Sequence, residues 1–168
     1  MDLRLRPYRL DDEAAALAIN AAMVADDFMF LLGWNDTMTW SDYLAVLEDY
    51  RWGRNIRADL VRSVQLAADV AGELVGRVSI RFELNEFLAT RGGHIGYGVA
   101  PAHRRRGYAS EILRQALVVI RADGVSPVLV TCDEKNEGSF RAIERNGGIL
   151  ESTIPDGHGQ LIRRYWIW

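Results

Sequence analysis

The segment GYGVAPAHRRRGYASEIL, residues 96–113, has the residue types and spacing of an anion-binding site. Three consecutive arginines, Arg104–Arg106, stand directly before Gly107, and a helical apolar pattern begins at Tyr108. A helix that starts at a glycine-containing turn presents unpaired backbone amides and the positive end of its dipole. Such a turn can hold a phosphate or pyrophosphate, although a lone basic turn of this kind is more often solvated surface.

Two titratable residues near this segment are candidates for proton transfer. His94 begins the strand-like stretch that leads into the turn, and an imidazole with an unperturbed pKa of ~6.5 suits a base near neutral pH. Glu83, near the end of the preceding stretch VSIRFEL, can reach the same cleft if the two strands pair. The alternatives are a strand-end histidine with one hydrogen bond, and an outward-facing carboxylate between Phe82 and Leu84.

The cysteine and the other histidines do not indicate covalent or metal chemistry. Cys132, the only cysteine, lies in the apolar run VLVTC and has no histidine near it in sequence, so we expect a core residue. His103 and His158 lack neighbours at metal-ligand spacing. We therefore expect no metal site and no internal disulfide.

The elements that must position these residues alternate in type along the chain. Apolar periodicity and capping residues predict strands over about 3–6, 61–68, 74–84, 95–99 and 128–132, and helices over about 12–25, 39–50 and 108–123. The strand at 3–6 precedes Pro7 and has the features of an edge strand. The acidic and aromatic segment from Asp26 to Trp40 has no single period, and irregular segments of this kind often cover a site.

Composition limits the class of protein. With 168 residues, 49% of them hydrophobic and 26% charged, the chain can bury one core, which predicts a single domain. The net charge of -3 argues against nucleic acid as a partner. No apolar run approaches the length of a membrane span, and MDLRLRPYRL lacks the apolar core of a signal peptide, so we expect a cytoplasmic protein without a membrane partner.

The segment 96–113, followed by NEGSFRAIERNGGILE at 136–151, resembles the signature of the GNAT superfamily of acyl-CoA-dependent N-acetyltransferases. That signature is a strand, a Q/R-x-x-G-x-G/A turn, a helix, a strand and N-x-x-S/A before a short helix. The match covers roughly 74–151 and is similar to a bacterial branch. It implies one N-acetyltransferase domain over 1–168, of α/β class. Its sheet is expected to be mixed, mostly antiparallel and twisted, with splayed central strands flanked by helices.

The resemblance also implies roles for individual residues. Val99 would hold the acetyl carbonyl oxygen through a backbone amide that a bulge exposes, and the pantetheine arm would lie between its strand and the strand ending at Cys132. Asn136 would contact the cofactor, with Ser139 beside it, although both residues also fit a helix N-cap. The pyrophosphate of acetyl-CoA would be cradled, mainly by backbone amides, at Arg104, Arg105, Arg106, Gly107, Tyr108 and Ala109.

The implied reaction is acyl transfer from acetyl-CoA to a primary amine, on a small molecule or a peptide, in a ternary complex without a covalent enzyme intermediate. Many family members carry a tyrosine that protonates the departing thiolate, and this chain has Ile143 at that position. Tyr97 and Tyr108 are candidate replacements, and a thiol of pKa ~8.5 is a tolerable leaving group. The loss of the usual tyrosine keeps open an alternative, a noncatalytic acyl-CoA-binding or sensing module.

Two further expectations concern the acceptor and the assembly. Exposed carboxylates at Asp26, Asp27 and Asp36 favour a cationic acceptor, unless they are only solvated surface. The terminal stretch LIRRYWIW is dense in aromatic residues, which favours a homodimer through this strand.

Overall fold

The computed structural model describes residues 2–168. Strands and helices form where the sequence shows apolar alternation and helical periodicity. The strands are β1 (Leu3–Arg6), β2 (Ser63–Val70), β3 (Glu73–Arg81), β4 (Ile95–Val99), β5 (Val128–Asp133), β6 (Ile149–Pro155) and β7 (Leu161–Ile167). The helices are α1 (Glu13–Met23), α2 (Trp40–Arg51), α3 (Tyr108–Ala122) and α4 (Glu137–Arg145). Within these residues, no helix combines the length and the apolar character needed to cross a membrane.

The strands form one seven-stranded sheet in the order β1-β2-β3-β4-β5-β7-β6. Neighbours are antiparallel except for β4 and β5, which are parallel because α3 connects them. The predicted mixed, mostly antiparallel sheet of an α/β domain is confirmed, and so is the edge position of β1.

The parallel pair at the centre of the sheet is joined at only one point. Ile95 pairs with Val130, and β4 and β5 have no further paired positions. We call the gap beyond this pair, toward Val99 and Cys132, the wedge. The expected splay of the central strands is therefore present. The expected bulge in β4 is absent, because β3 and β4 keep a continuous register from Ile80 to Gly76.

Each face of the sheet has its own apolar core. The α3 face, covered by α3 and α4, buries the stripe of α3 that the sequence predicts, including Ile112 and Ile120. Ile143 is fully buried in the same core, so its position belongs to packing. The α1 face is covered by α1, α2 and the connection between them, with Trp40 and Tyr43 at its centre. Both faces of the central strands are consequently largely covered, and several residues of β4 keep partial exposure.

The connection between α1 and α2 is irregular, as expected, but its backbone is anchored at several points. The Leu31 amide donates to Asn20 Oδ1 at 3.0 Å. The Leu32 carbonyl accepts from Tyr43 Oη at 3.1 Å and from Gln65 Nε2 at 3.2 Å. Buried polar side chains therefore take the place of regular hydrogen bonding and hold this segment over the sheet.

The C-terminal aromatic residues occupy different environments. Tyr165 is buried and donates to Glu144 Oε1 at 3.0 Å, whereas Trp166 donates to Glu151 Oε1 at 2.9 Å. Trp168 is 72% exposed. These contacts explain two of the three aromatic residues within one subunit, and the homodimer stays a prediction.

Candidate functional site

The turn before α3 is shaped to receive an anion. Gly107 and Arg105 adopt left-handed conformations, with φ of 81° and 65°, so alternate residues turn the backbone amides toward one side. None of the amides from Arg105 to Ser110 donates a hydrogen bond within the described residues. An oxyanion is the natural partner for such a concave set of N–H groups at a helix N-terminus.

The three arginines of this turn do not act alike. Arg104 is turned away from the amides, because its Nε donates to the Val99 carbonyl at 3.3 Å and its Nη2 pairs with Asp26. Arg106 donates to the Ala102 carbonyl at 3.4 Å. Arg105 has no hydrogen bond or ion pair within residues 2–168, so its side chain is the one most available to a ligand. Tyr108 and Ala109 contribute the first amides of α3.

Backbone groups of β4 open into the wedge. In an antiparallel pair, residues alternate between bonding to the partner strand and pointing away from it. Arg81 donates to the His94 carbonyl and Ala100 donates to the Val75 carbonyl, which sets this alternation for the whole β3–β4 pair. The amides of Tyr97 and Val99 therefore point toward β5, which no longer pairs with them. The missing neighbour, rather than a bulge, leaves the Val99 amide available.

On the α3 face, the wedge is lined by hydroxyl groups. Tyr97 Oη donates to the Ser139 carbonyl at 3.2 Å and lies 3.0 Å from Ser139 Oγ. Asn136 caps α4 by accepting from the Ser139 amide at 3.1 Å, as the capping interpretation predicted. Burial raises the pKa of Tyr97, so the phenol is protonated at neutral pH. Burial likewise raises the pKa of the Cys132 thiol to about 11, which makes it a poor nucleophile.

On the α1 face, β4 is approached by two arginines from β3. Arg77 is 3% exposed and donates to the carbonyls of Phe30, Gly96 and Met29 at 3.1, 3.0 and 2.7 Å. Arg81 Nη1 donates to the Gly92 carbonyl at 3.2 Å and lies 3.2 Å from where a Cβ on Gly96 would stand. The glycine therefore makes room for the guanidinium.

Phe28 explains the second glycine of β4. A Cβ on Gly98 would lie 2.6 Å from Phe28 Cζ, which is too close for any other residue. The Phe28 ring also lies against the Arg77 guanidinium, with 4.6 Å between Cζ of the arginine and the ring centroid. The α1–α2 connection thus packs directly on β4 opposite the wedge.

His94 lies at the closed end of the wedge and joins three strands. Its amide donates to the Leu129 carbonyl at 2.8 Å, and the Leu129 amide donates to His94 Nδ1 at 2.9 Å. Because Nδ1 accepts, the neutral ring carries its proton on Nε2, and the lone pair that a base needs is already engaged. Burial, reinforced by the charge of Arg81, lowers the pKa of His94. These contacts match the strand-end alternative, and the general-base role stays a prediction.

Glu83 lies beyond the end of β3 and is exposed. No hydrogen bond or ion pair joins its carboxylate to His94 or to any other residue of the described chain. The structure therefore does not bring the two candidate bases into contact. Residues 2–168 also contain no group of three or more His, Cys, Asp or Glu side chains placed to hold a metal ion.

Sequence reasoning missed Arg77 and Arg81 as site residues. The stretch GRVSIRF places polar residues at alternate positions, a pattern that ordinarily indicates a solvated strand face. The signal available was their location in the strand next to β4, where helices or connections cover each face.

Comparison with known proteins agrees with this arrangement. Residues 2–149 match the family model described as the acetyltransferase (GNAT) domain. A search of curated proteins found no match to the chain.

Solved structures share the fold over nearly the whole chain. RimJ from Mycobacterium smegmatis, in complex with CoA-disulfide, is 21% identical, with a TM-score of 0.71 over 98% of this chain and 81% of that one. yncA from Salmonella typhimurium, with its cofactor acetyl-CoA, is 18% identical, with a TM-score of 0.65 over 99% of this chain and 94% of that one. A GNAT-family acetyltransferase from Bacillus anthracis is 20% identical, with a TM-score of 0.67 over 99% of this chain and 95% of that one.

Proposed function

The chain belongs to the GNAT acetyltransferase family, and from that premise we propose that it transfers an acetyl group from acetyl-CoA to a primary amine. The amine attacks the thioester directly in a ternary complex, within one N-acetyltransferase domain over 1–168. The observation that carries this proposal is the wedge with its unpaired amides, continued by the anion-binding turn at the start of α3. Two structures similar to this one contain CoA-disulfide or acetyl-CoA.

In the proposed complex, the cofactor lies along β4. The pyrophosphate is held by amides of the turn from Arg105 to Ser110, and the pantetheine arm enters the wedge beside Val99. The carbonyl oxygen of the acetyl group accepts from an amide of β4, Tyr97 or Val99, and this bond strengthens as the oxygen becomes negative. Because these donors are fixed by the sheet, they need no rearrangement during the reaction.

The chemical step forms one C–N bond and breaks one C–S bond. The lone pair of the neutral amine attacks the thioester carbon, and the tetrahedral intermediate collapses with the bonding pair leaving on sulfur. Tyr97, whose hydroxyl lies beside Ser139 in the wedge, donates a proton to the thiolate and recovers one from solvent. The amide nitrogen releases its extra proton to water. No covalent bond to the protein is formed.

Binding and turnover test this proposal separately. Titration calorimetry with CoA and acetyl-CoA should give similar affinities, because the turn and the wedge contact parts that both ligands share. Release of free CoA during incubation with a panel of amines should then identify an acceptor. No binding of either ligand at millimolar concentration would contradict the cofactor assignment. Binding without release of CoA to any amine would favour the noncatalytic module.

A further inference from the structure

We propose that the amine acceptor carries a carboxylate within a few bonds of its nitrogen and that the Arg81 guanidinium, on the α1 face of β4, binds this carboxylate. This inference rests on the proposed acetyl transfer. Suitable molecules are α-amino acids and peptides that begin with Asp or Glu. The two sources share the same chemistry, an amine next to an anion.

The Arg81 guanidinium is held in place but keeps unused donors. Its Nη1 donates to the carbonyls of Gly92 and Gly93 at 3.2 and 3.5 Å. Its Nε and Nη2 have no hydrogen-bond partner among residues 2–168. An arginine presents its donors as a planar fork that matches a carboxylate, so the unused pair of donors is suited to an anionic ligand.

The charge of Arg81 has no counter-ion nearby. In the described part of the chain, no carboxylate lies within ion-pair distance of Arg81 or of its neighbour Arg77. Two partly or fully buried guanidinium groups on one sheet face therefore share a positive field. Arginines buried in this way are normally paired, and an anionic ligand would supply the missing partner.

Two of the three carboxylates that favoured a cationic acceptor are engaged by other side chains. Asp26 pairs with Arg104, and Asp36 accepts from Trp34 Nε1 at 3.3 Å. Asp27 is exposed at the end of the short helical turn after α1. The charge that faces β4 on the α1 side is positive, which reverses the expectation from the acidic segment.

The position of Arg81 sets the length of the acceptor. Its guanidinium lies over Gly96, and the next residue, Tyr97, points its amide into the wedge where the acetyl group is proposed to lie. Consecutive Cα atoms are about 3.8 Å apart, so the anion subsite and the acyl subsite are neighbours. A molecule that fills both must carry its carboxylate close to its amine.

The same positive field favours the reactive form of the amine. The α-amino group of a peptide has a pKa of ~7.7–8.0 in water and is still mostly protonated at neutral pH. A nearby guanidinium disfavours the ammonium ion and lowers this pKa. Arg81 can thus both orient the acceptor and assist its deprotonation.

Matched acceptor pairs test the proposal by turnover. Initial rates of CoA release are compared for L-amino acids against their carboxamides, and for C-terminally amidated peptides that begin with Asp or Glu against those that begin with Asn or Gln. In at least one of these two series, we expect kcat/KM for the acceptors with a carboxylate to exceed that for the matched amides by about tenfold or more. Equal rates for both members of every pair would overturn the proposal.

Variants of Arg81 show whether the guanidinium is responsible. Arg81→Gln should abolish the preference for the carboxylate, and Arg81→Lys, which keeps the charge without the fork, should retain part of it. Arg57→Gln removes an exposed arginine that pairs with Asp59 and is the matched control. Unchanged acetyl-CoA affinity verifies that each variant is folded. A full preference in Arg81→Gln would overturn the proposal.

A binding measurement separates this inference from the proposed function. The CoA-saturated protein is titrated with N-acetyl-L-aspartate and with its diamide, neither of which requires catalysis. We expect the diacid to bind more tightly in the parent and not in Arg81→Gln. If this holds while no amine is acetylated, the proposed function fails and the anion site stands. If amines are acetylated but the diamide binds equally well, the anion site fails alone.

Discussion

The two sides of β4 present different chemical groups to a ligand. Toward the wedge and α3, the groups on offer are backbone amides, from Tyr97 and Val99 and from the turn at 105–110. Toward α1, they are the side chains of Arg77 and Arg81, both held against Gly96 of β4. A ligand common to a whole family can be bound by the backbone, because no side chain has to be kept. The acceptor side is built from side chains, which can differ between relatives.

The largest effect should come from the turn. Gly107→Trp forces a bulky residue into a left-handed conformation and blocks the amides, so we expect CoA and acetyl-CoA to bind about 100-fold more weakly, equivalent to two charge-assisted hydrogen bonds. Gly124→Trp is the matched control, because Gly124 has a φ of 86° at the other end of α3 and open space around it. Calorimetry that finds equal affinity in the two variants would place the phosphate elsewhere.

A smaller effect is expected where the wedge meets the α3 face. Tyr97→Phe removes the proposed proton donor and should lower kcat about tenfold. This loss is smaller than the ~10²-fold usual for general acid catalysis, because a thiolate leaves readily. The affinity for acetyl-CoA should stay within about twofold, since the ring remains. Single-turnover measurements with a confirmed acceptor separate the two quantities. An unchanged kcat would remove Tyr97 from the chemistry.

His94, at the closed end of the wedge, should affect the stability of the folded protein. Because burial lowers the pKa of His94, the unfolded chain binds more protons than the native one below about pH 6.5, and native stability falls as the pH is lowered through this range. His94→Asn keeps an acceptor for the Leu129 amide and should cost about 1 kcal/mol near neutral pH. The difference in Tm between parent and variant should shrink with decreasing pH. A difference in Tm that stays constant with pH would mean that burial does not lower the pKa of His94.

The smallest effects distinguish the arginines of the turn. Arg104→Ala should change acetyl-CoA affinity by less than about threefold, because this guanidinium already pairs with Asp26. Arg105→Ala should have a larger effect, which weakens as salt is added. Titrations at two ionic strengths provide the comparison. A larger, salt-sensitive loss for Arg104 would show that its ion pair opens to receive the ligand.

The wedge side could be predicted from the sequence because its signals are local. Three features each depend on a few consecutive residues, and all three are present: the glycine turn at Gly107, the amphipathic stripe of α3 and the cap at Asn136. The predicted bulge at Val99 is absent because β3 and β4 keep a continuous register. The Val99 amide is left available because β5, which is distant in sequence, does not pair there.

The arrangement on the α1 side could not be predicted, because its contacts join residues that are distant in sequence. Arg77 and Arg81 alternate with apolar residues, as in a solvated strand. The α1–α2 connection covers Arg77, and the segment before β4 contacts Arg81. His94 illustrates the same limit, because its ring nitrogen is engaged by Leu129, 35 residues away. Local patterns predict elements, whereas these contacts exist only once the sheet is assembled.

The central claim, that the two faces of β4 bind the two substrates separately, is tested most directly by nuclear magnetic resonance of backbone amides and arginine side chains. Saturation with CoA should shift the amides of Tyr97, Val99 and residues 105–110 and leave the Arg81 Nε–Hε signal in place. Subsequent addition of N-acetyl-L-aspartate should shift the Arg81 signal. Shifts of Arg81 with CoA alone, or no response at Tyr97 and Val99, would contradict the account.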